Sequence, residues 1–541
     1  MDIFFHRSTE FVYIVNYAEH SPLSPHKLTI SVLVNKNLGI IPQVLEASAV
    51  KSSWLHRLPN AMPDSDIRRA LRACDPCKRR KVRCNGQTKC QQCTHSGLPC
   101  TYTTAQTDRP RKKNSRRGAV IAECRTLSTQ RAQKSYILLP RDSPPSIPHS
   151  IPSYLNPAFF LDLLGDYEKY VFPMSPVIPA AEVREMIECM SEVPDVASFV
   201  YIYAAVTLDL TRSEPVQEAS ATRDRIAILL TRSLELRPRR DLTSQVGIVD
   251  VMACVFTEMA CITLRRPDLG FVYLREAISL LYMLNADSEE ALANMSQIRR
   301  ARLQRAYWEC FVHERFTALT YNRPSCLGPL NTLPDHDPTL PDDVETCFNY
   351  CIENFCLVDR QFLDFWLGDR SQVTTEWIED KQRQLEDIDW HREVSELPQM
   401  QQADLVITRH WLRTLTWQIA LSNTLLSSSP ASFLLSLSFP LRLSNSLRHF
   451  LVTIPRDLVG IHGSGILKKL FEIASTITDV VLHMTHAPGD ETVERIHDIL
   501  FLKRFVYSFA GLQNLWLEIL TQKFEMIRQK YPDIKEIDLL R

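Results

Sequence analysis

Between Cys74 and Cys100 the sequence reads CDPCKRRKVRCNGQTKCQQCTHSGLPC, which is C-x2-C-x6-C, a five-residue connection, and C-x2-C-x6-C again. No other stretch of the 541 residues limits the fold as tightly. A C-x2-C pair lets two thiolates grip one zinc from a single turn of backbone, and the third cysteine of each half closes the unit. Six thiolates cannot fill the eight positions of two tetrahedral zincs unless two sulfurs bridge. The spacing therefore predicts a compact binuclear cluster, with two zinc ions held by Cys74, Cys77, Cys84, Cys90, Cys93 and Cys100. Few apolar residues lie between the cysteines, so metal must replace a hydrophobic core. Two plainer readings compete. Cys74, Cys77, Cys90 and Cys93 alone would make a mononuclear ribbon, with Cys84 and Cys100 left over. Against it, Cys84 and Cys100 each lie seven positions after the second cysteine of their half. A disulfide framework would need a secretory context, and no basic-then-apolar signal segment is present.

Five of the six residues between Cys77 and Cys84 are cationic: Lys78, Arg79, Arg80, Lys81 and Arg83. Alone, such a run is a self-repelling tail. Started by two metal-liganding cysteines, with Pro76 tolerated in the first turn, it becomes a short rigid helix suited to the major groove of double-stranded DNA. The second half, Thr94 to Pro99, carries no positive charge except His95 when protonated. Both halves are expected to hold metal, but only the Lys78–Arg83 side is built to read DNA.

The stretch resembles the DNA-binding domain of the fungal binuclear zinc-cluster transcription factors. The resemblance implies that Cys74 and Cys90 bridge the two metals and that Arg80 and Lys81 read a CGG-type triplet. Lys78, Arg79 and Arg83 would then lie against phosphates. One departure is visible: Thr88 stands where relatives usually carry proline, although Asn85-Gly86 is a good tight-turn pair.

Charge is divided in the same way. Residues 67–117 hold fifteen Lys/Arg against two acids, a balance of +13, while the whole chain carries −1. A basic module on a large acidic body is the pattern of a nucleic-acid binder with an attached regulatory domain. Nine of the fifteen cysteines lie outside the cluster, and Cys254, Cys261, Cys310, Cys351 and Cys356 read as small buried hydrophobes. No apolar run approaches the ~20 residues that span a bilayer, so no membrane association is expected.

Four regions follow from composition. Residues 1–66 form an N-terminal extension, poorly ordered or mis-annotated, with Met62 an alternative start. Residues 67–102 are the zinc-cluster DNA-binding domain. Residues 103–157 are a linker, first basic (Arg111-Lys112-Lys113, Arg116-Arg117) and then proline-rich. Residues 158–541 are an all-helical domain. Helical periods recur at Phe159 to Tyr170, Val251 to Leu264, Leu274 to Leu284, Ile298 to Leu319 and Phe348 to Phe365. They recur again at Leu405 to Leu426, Ile466 to Met484 and Ile496 to Leu520. Two stretches, Leu274 to Leu281 and Arg299 to Arg315 with Asn322-Arg323-Pro324 beyond, resemble the middle homology regulatory region of the same family. Asn322 replaces the usual glycine, and asparagine also tolerates a left-handed backbone. Glu314 and Arg315 are expected to form a structural charge network rather than a ligand site.

The fold class is thus a small metal-folded module plus a large all-α domain. The function expected is a nuclear, sequence-specific RNA polymerase II transcription factor. Its expected partners are double-stranded DNA and transcription machinery or co-regulators, with homodimerisation left open. A zinc-buffering or thiol redox-sensing protein is the alternative, but it has no use for the cationic run. No HExxH, GxSxG or glycine-rich phosphate loop supports an enzyme, and His462-Gly463-Ser464-Gly465 reads as a turn.

Overall fold

The structure is a computed structural model. It describes residues 3–8, 11–16, 29–34, 73, 74, 77, 84, 87, 89–95 and 100. In the C-terminal region it describes 155–211, 219–238, 245–368, 372–427, 432–483, 489–509 and 514–531. Two compact units are distinguished: residues 48–144, and residues 145–541 together with 1–47. The five cationic residues Lys78, Arg79, Arg80, Lys81 and Arg83 lie outside the described residues, as does the basic linker.

In the N-terminal extension the described backbone forms an antiparallel meander of β1 (Ile3–Ser8), β2 (Phe11–Asn16) and β3 (Thr29–Val34). Ile3 pairs with Asn16, and Phe11 with both Ser8 and Val34. Its second and third strands are largely apolar, FVYIVN and TISVLV.

In the metal unit, α1 (Gln91–His95) follows Cys90. The C-terminal body is helical, and among its described residues no strand occurs. Its longer helices are α2 (Ala180–Cys189), α3 (Pro194–Thr211), α4 (Ala219–Leu236), α5 (Ile248–Thr263) and α6 (Pro267–Met283). They continue with α7 (Gln297–Tyr321), α8 (Asp342–Cys356), α9 (Thr375–Leu385), α10 (Gln399–Ser422) and α11 (Phe439–Thr453). The last three are α12 (Gly463–His483), α13 (Gly489–Tyr507) and α14 (Asn514–Lys530). No described helix is long and apolar enough to cross a membrane.

Adjacent helices pair (α3 with α4, α5 with α6), and α3 also packs on α5, while α10 packs on α12 and α12 on α14. Two helices run through the interior, α7 and α10, and their buried residues include Trp308, Trp411 and Trp417. A helix buried on most sides must bury polar groups too, and these are stable only when paired. Arg305, almost fully buried, donates to Asp337 at 2.8 Å and to the Pro176 carbonyl at 2.7 Å. Glu314 accepts from Arg275 (2.6 Å), Ser325 (2.7 Å) and the backbone N–H groups of Cys326 and Leu327 (2.8 Å each). Arg315 bonds Glu314 and the carbonyls of Val358 and Leu327. The expected charge network is therefore present, and it ties α7 to the loop after it. Asn322 caps α7 in the left-handed region, φ 52° and ψ 41°, as its chemistry allows. Cys254, Cys261 and Cys310 are fully buried, and Cys351 and Cys356 partly so.

Candidate metal centre and nucleic-acid interface

The second C-x2-C pair builds its own helix start. The Cys90 carbonyl accepts from the N–H groups of Cys93 and Thr94 (3.0 Å each) and from the Thr94 hydroxyl (3.2 Å). Its Sγ accepts the Cys93 N–H at 3.3 Å, in the way an N-cap side chain does. Sequence reasoning assigned this helix-starting role to the first pair; the described backbone displays it at the second. Cys77 is also helical, and the run that follows it lies outside the described residues.

The sulfurs of Cys74, Cys77, Cys90 and Cys93 lie within 4.8 Å of one another, all fully buried. Cys74 Sγ is 3.6 Å from Cys90, 3.5 Å from Cys93 and 3.9 Å from Cys84. Cys77 Sγ is 3.5 Å from Cys90 and 4.0 Å from Cys93. Cys100 Sγ accepts the Cys90 N–H at 3.3 Å. A tetrahedral zinc with Zn–S near 2.3 Å separates its sulfurs by roughly 3.8 Å, so these spacings are those of metal-site edges. Beside this group of four, Cys84 lies against Cys74 and Cys100 against the Cys90 backbone. The residues present fit a cluster of zinc.

Burial pushes the Cys74, Cys77 and Cys93 thiols up, Cys93 to about 12. Burial would raise Cys90 as well. The Cys93 amide and the neighbouring thiols that donate to it outweigh this and bring it down to about 6. Sulfurs so buried become thiolates together only with cations among them, so loading zinc releases protons.

Residues 72–109 match the fungal Zn(2)-Cys(6) binuclear cluster domain. The chain carries a fungal zinc cluster. That domain binds two zinc ions, and the zinc-cluster reading of the sequence stands. Relatives extend beyond it. The maltose fermentation regulatory protein MAL13 of Saccharomyces cerevisiae is 23% identical over 489 residues, covering 87% of this chain and 96% of that protein. The respiratory transcription factor ZNF1 of the same organism is 23% identical over 370 residues, 66% of this chain and 76% of its own. A Candida albicans protein named as a probable sucrose utilization protein, SUC1, is 22% identical over 260 residues, 46% of this chain and 50% of its own. With a zinc cluster and relatives of this kind, the chain is a DNA-binding regulator of transcription.

Proposed function

We propose that this zinc-cluster protein is a nuclear, sequence-specific transcription factor of RNA polymerase II genes that reads a CGG-type triplet. The observation that carries the reading is the placement of five cations between two cysteines of a metal-folded unit. Lys78 to Arg83 would form the helix that enters the major groove. Arg80 and Lys81 would donate to guanine O6 and N7, and Lys78, Arg79 and Arg83 would contact phosphates. Cys74, Cys77, Cys84, Cys90, Cys93 and Cys100 would hold the two zincs. The close approach of the Cys74, Cys77, Cys90 and Cys93 sulfurs, all within 4.8 Å of one another, supports a metal cluster there. The zinc ions supply rigidity, and no catalytic role is assigned to any residue.

Burial of four cluster sulfurs argues against a redox sensor, whose cysteines must be exposed and anionic. The relatives' names point to carbon-source use as the class of genes controlled. The helical body would carry the regulation, and co-regulators would dock there.

Binding of the full chain to duplexes with and without a CGG triplet tests the reading. Lys81→Ala should cost the preference for CGG about 5- to 150-fold, the worth of one good base contact. Elemental analysis of both proteins should give two zincs per chain. A preference retained in Lys81→Ala would remove that residue from base reading, and one zinc per chain would restore the four-thiolate ribbon.

A further inference from the structure

A pocket of about 170 Å³ opens into the helical body, lined by residues of several helices. A hole of about 150 Å³ walled by Leu, Ile and Phe stays dry and takes up benzene, so a ring fits here by volume. An unfilled space of that size forfeits packing on every side, and a body able to close it would be more stable.

The charged groups around the pocket are engaged with one another. Lys469 Nζ donates to Asp404 (2.9 Å) and to the Thr408 hydroxyl (2.6 Å). His313 sits with Nδ1 at 2.8 Å from Glu258 Oε2 and Nε2 at 3.5 Å from Glu309. Burial opposes its charge, but the two carboxylates hold its pKa up, to about 10. The Lys469, Glu258 and Glu309 side chains are almost fully buried, so these groups stand behind the wall rather than on it.

What meets the open space is mainly apolar surface. Met259 on α5 and Val312 and Phe316 on α7 line it, and these three are only partly buried. Val312 and Phe316 lie four residues apart and so share one face of α7. Trp411 packs on the Phe316 ring, with centroids 5.8 Å apart, and steadies it. A thioether beside an aromatic ring is adaptable in shape and favours a further ring.

We propose that this pocket is a binding site for a small uncharged aromatic molecule of about toluene's size, its ring packed against Phe316, Val312 and Met259. A charged ligand fits less well, because it would lose its water beside ions that already have partners. A sugar fits less well too, since each hydroxyl buried against apolar surface would go unpaired. A ring seated there touches α5 and α7 at once and so stabilises the folded body.

Thermal unfolding of the full chain with toluene, benzylamine, benzoate and glucose tests the proposal. Toluene should raise Tm in a saturable way, and the other three should leave it unchanged. Val312→Phe fills the pocket without altering charge and should abolish the toluene shift. Phe316→Ala widens the pocket and should move the preference about tenfold from toluene toward naphthalene. A variant that is merely less stable has a lower Tm but keeps the ring preference of the unsubstituted chain, so the readout separates lost binding from lost packing. Benzylamine or benzoate matching toluene would mean a site for charged ligands, and a shift with glucose a polyol site. Either outcome overturns the proposal, as does no shift with toluene, or a toluene shift and ring preference unchanged in both variants.

Discussion

Glu314 offers the sharpest test of how the body is held together. Its side chain is 1% exposed and takes five donors: Arg275 and the Cys326 N–H on Oε1, and Ser325, the Leu327 N–H and Arg315 on Oε2. Glu314→Gln keeps the shape but replaces one acceptor oxygen with an NH2 that meets two or three donors head on. It also leaves the buried Arg315 guanidinium without its carboxylate. Removing one partner of a buried pair costs about 3–5 kcal/mol, far more than the pair is worth against an apolar replacement. With an unfolding entropy of about 2.1 cal/mol/K per residue, a body of roughly 380 residues loses about 1 °C per 0.8 kcal/mol, so Tm should fall by about 4–6 °C. Asp364→Asn is the matched control. Its pair with Arg360 spans 3.0 Å, but the side chains are 80% and 43% exposed, and such a pair is worth under about 0.5 kcal/mol. Scanning calorimetry on the three proteins decides. A Glu314→Gln shift no larger than that of Asp364→Asn would refute the claim that this network is structural.

Two further outcomes are expected. His410 is buried in α10, its Nδ1–H on the Val406 carbonyl at 2.9 Å, and burial, with Arg413 nearby, pulls its pKa down to about 4 despite that bond. A folded value below the unfolded ~6.5 means the unfolded chain takes the proton first. Stability is therefore complete above pH 6.5 and falls by up to about 1.4 kcal/mol per unit as pH drops toward 4. Urea midpoints at pH 7 and pH 5 should show a smaller acid loss in His410→Gln, and an identical loss would clear His410 of the role. Gly463 opens α12 at φ +62°, and a Cβ there would meet Leu210 Cδ2 at 2.7 Å. Gly463→Ala should cost about 1–3 kcal/mol from strain and overpacking, whereas Gly465→Ala, whose nearest neighbour is Phe316 Cζ at 3.9 Å, should be close to neutral in the same denaturation assay.

What could be read from the sequence depends on how local the cause is. Chelation by cysteines a few residues apart is a local act, so the cluster and its two-zinc composition were visible in the spacing of Cys74 to Cys100. Amphipathic helices were visible where one face stays wet, as at Leu274 to Leu284, which the structure places in Pro267–Met283 with Ser279 and Tyr282 exposed. Helix breaks were not. The run Phe348 to Phe365 divides at Leu357 to Asp359, where the Asp359 carboxylate caps the next helix by accepting the Phe362 N–H at 2.7 Å. Its apolar period continues across the break, so pattern alone joins the two. The helix Pro194–Thr211 escaped for the opposite reason: buried almost all round, it has no polar face to set a period. A pocket lined by residues of several helices lies further from sequence still. Asp209 and Lys469, far apart in the chain, line one pocket, and nothing near either residue marks it. Glu258 and His313 look like ordinary polar punctuation in apolar helices until the fold sets Nδ1 of one against Oε2 of the other. Metal sites built on short spacings announce themselves, whereas a pocket assembled from several helices exists only once the helices have packed.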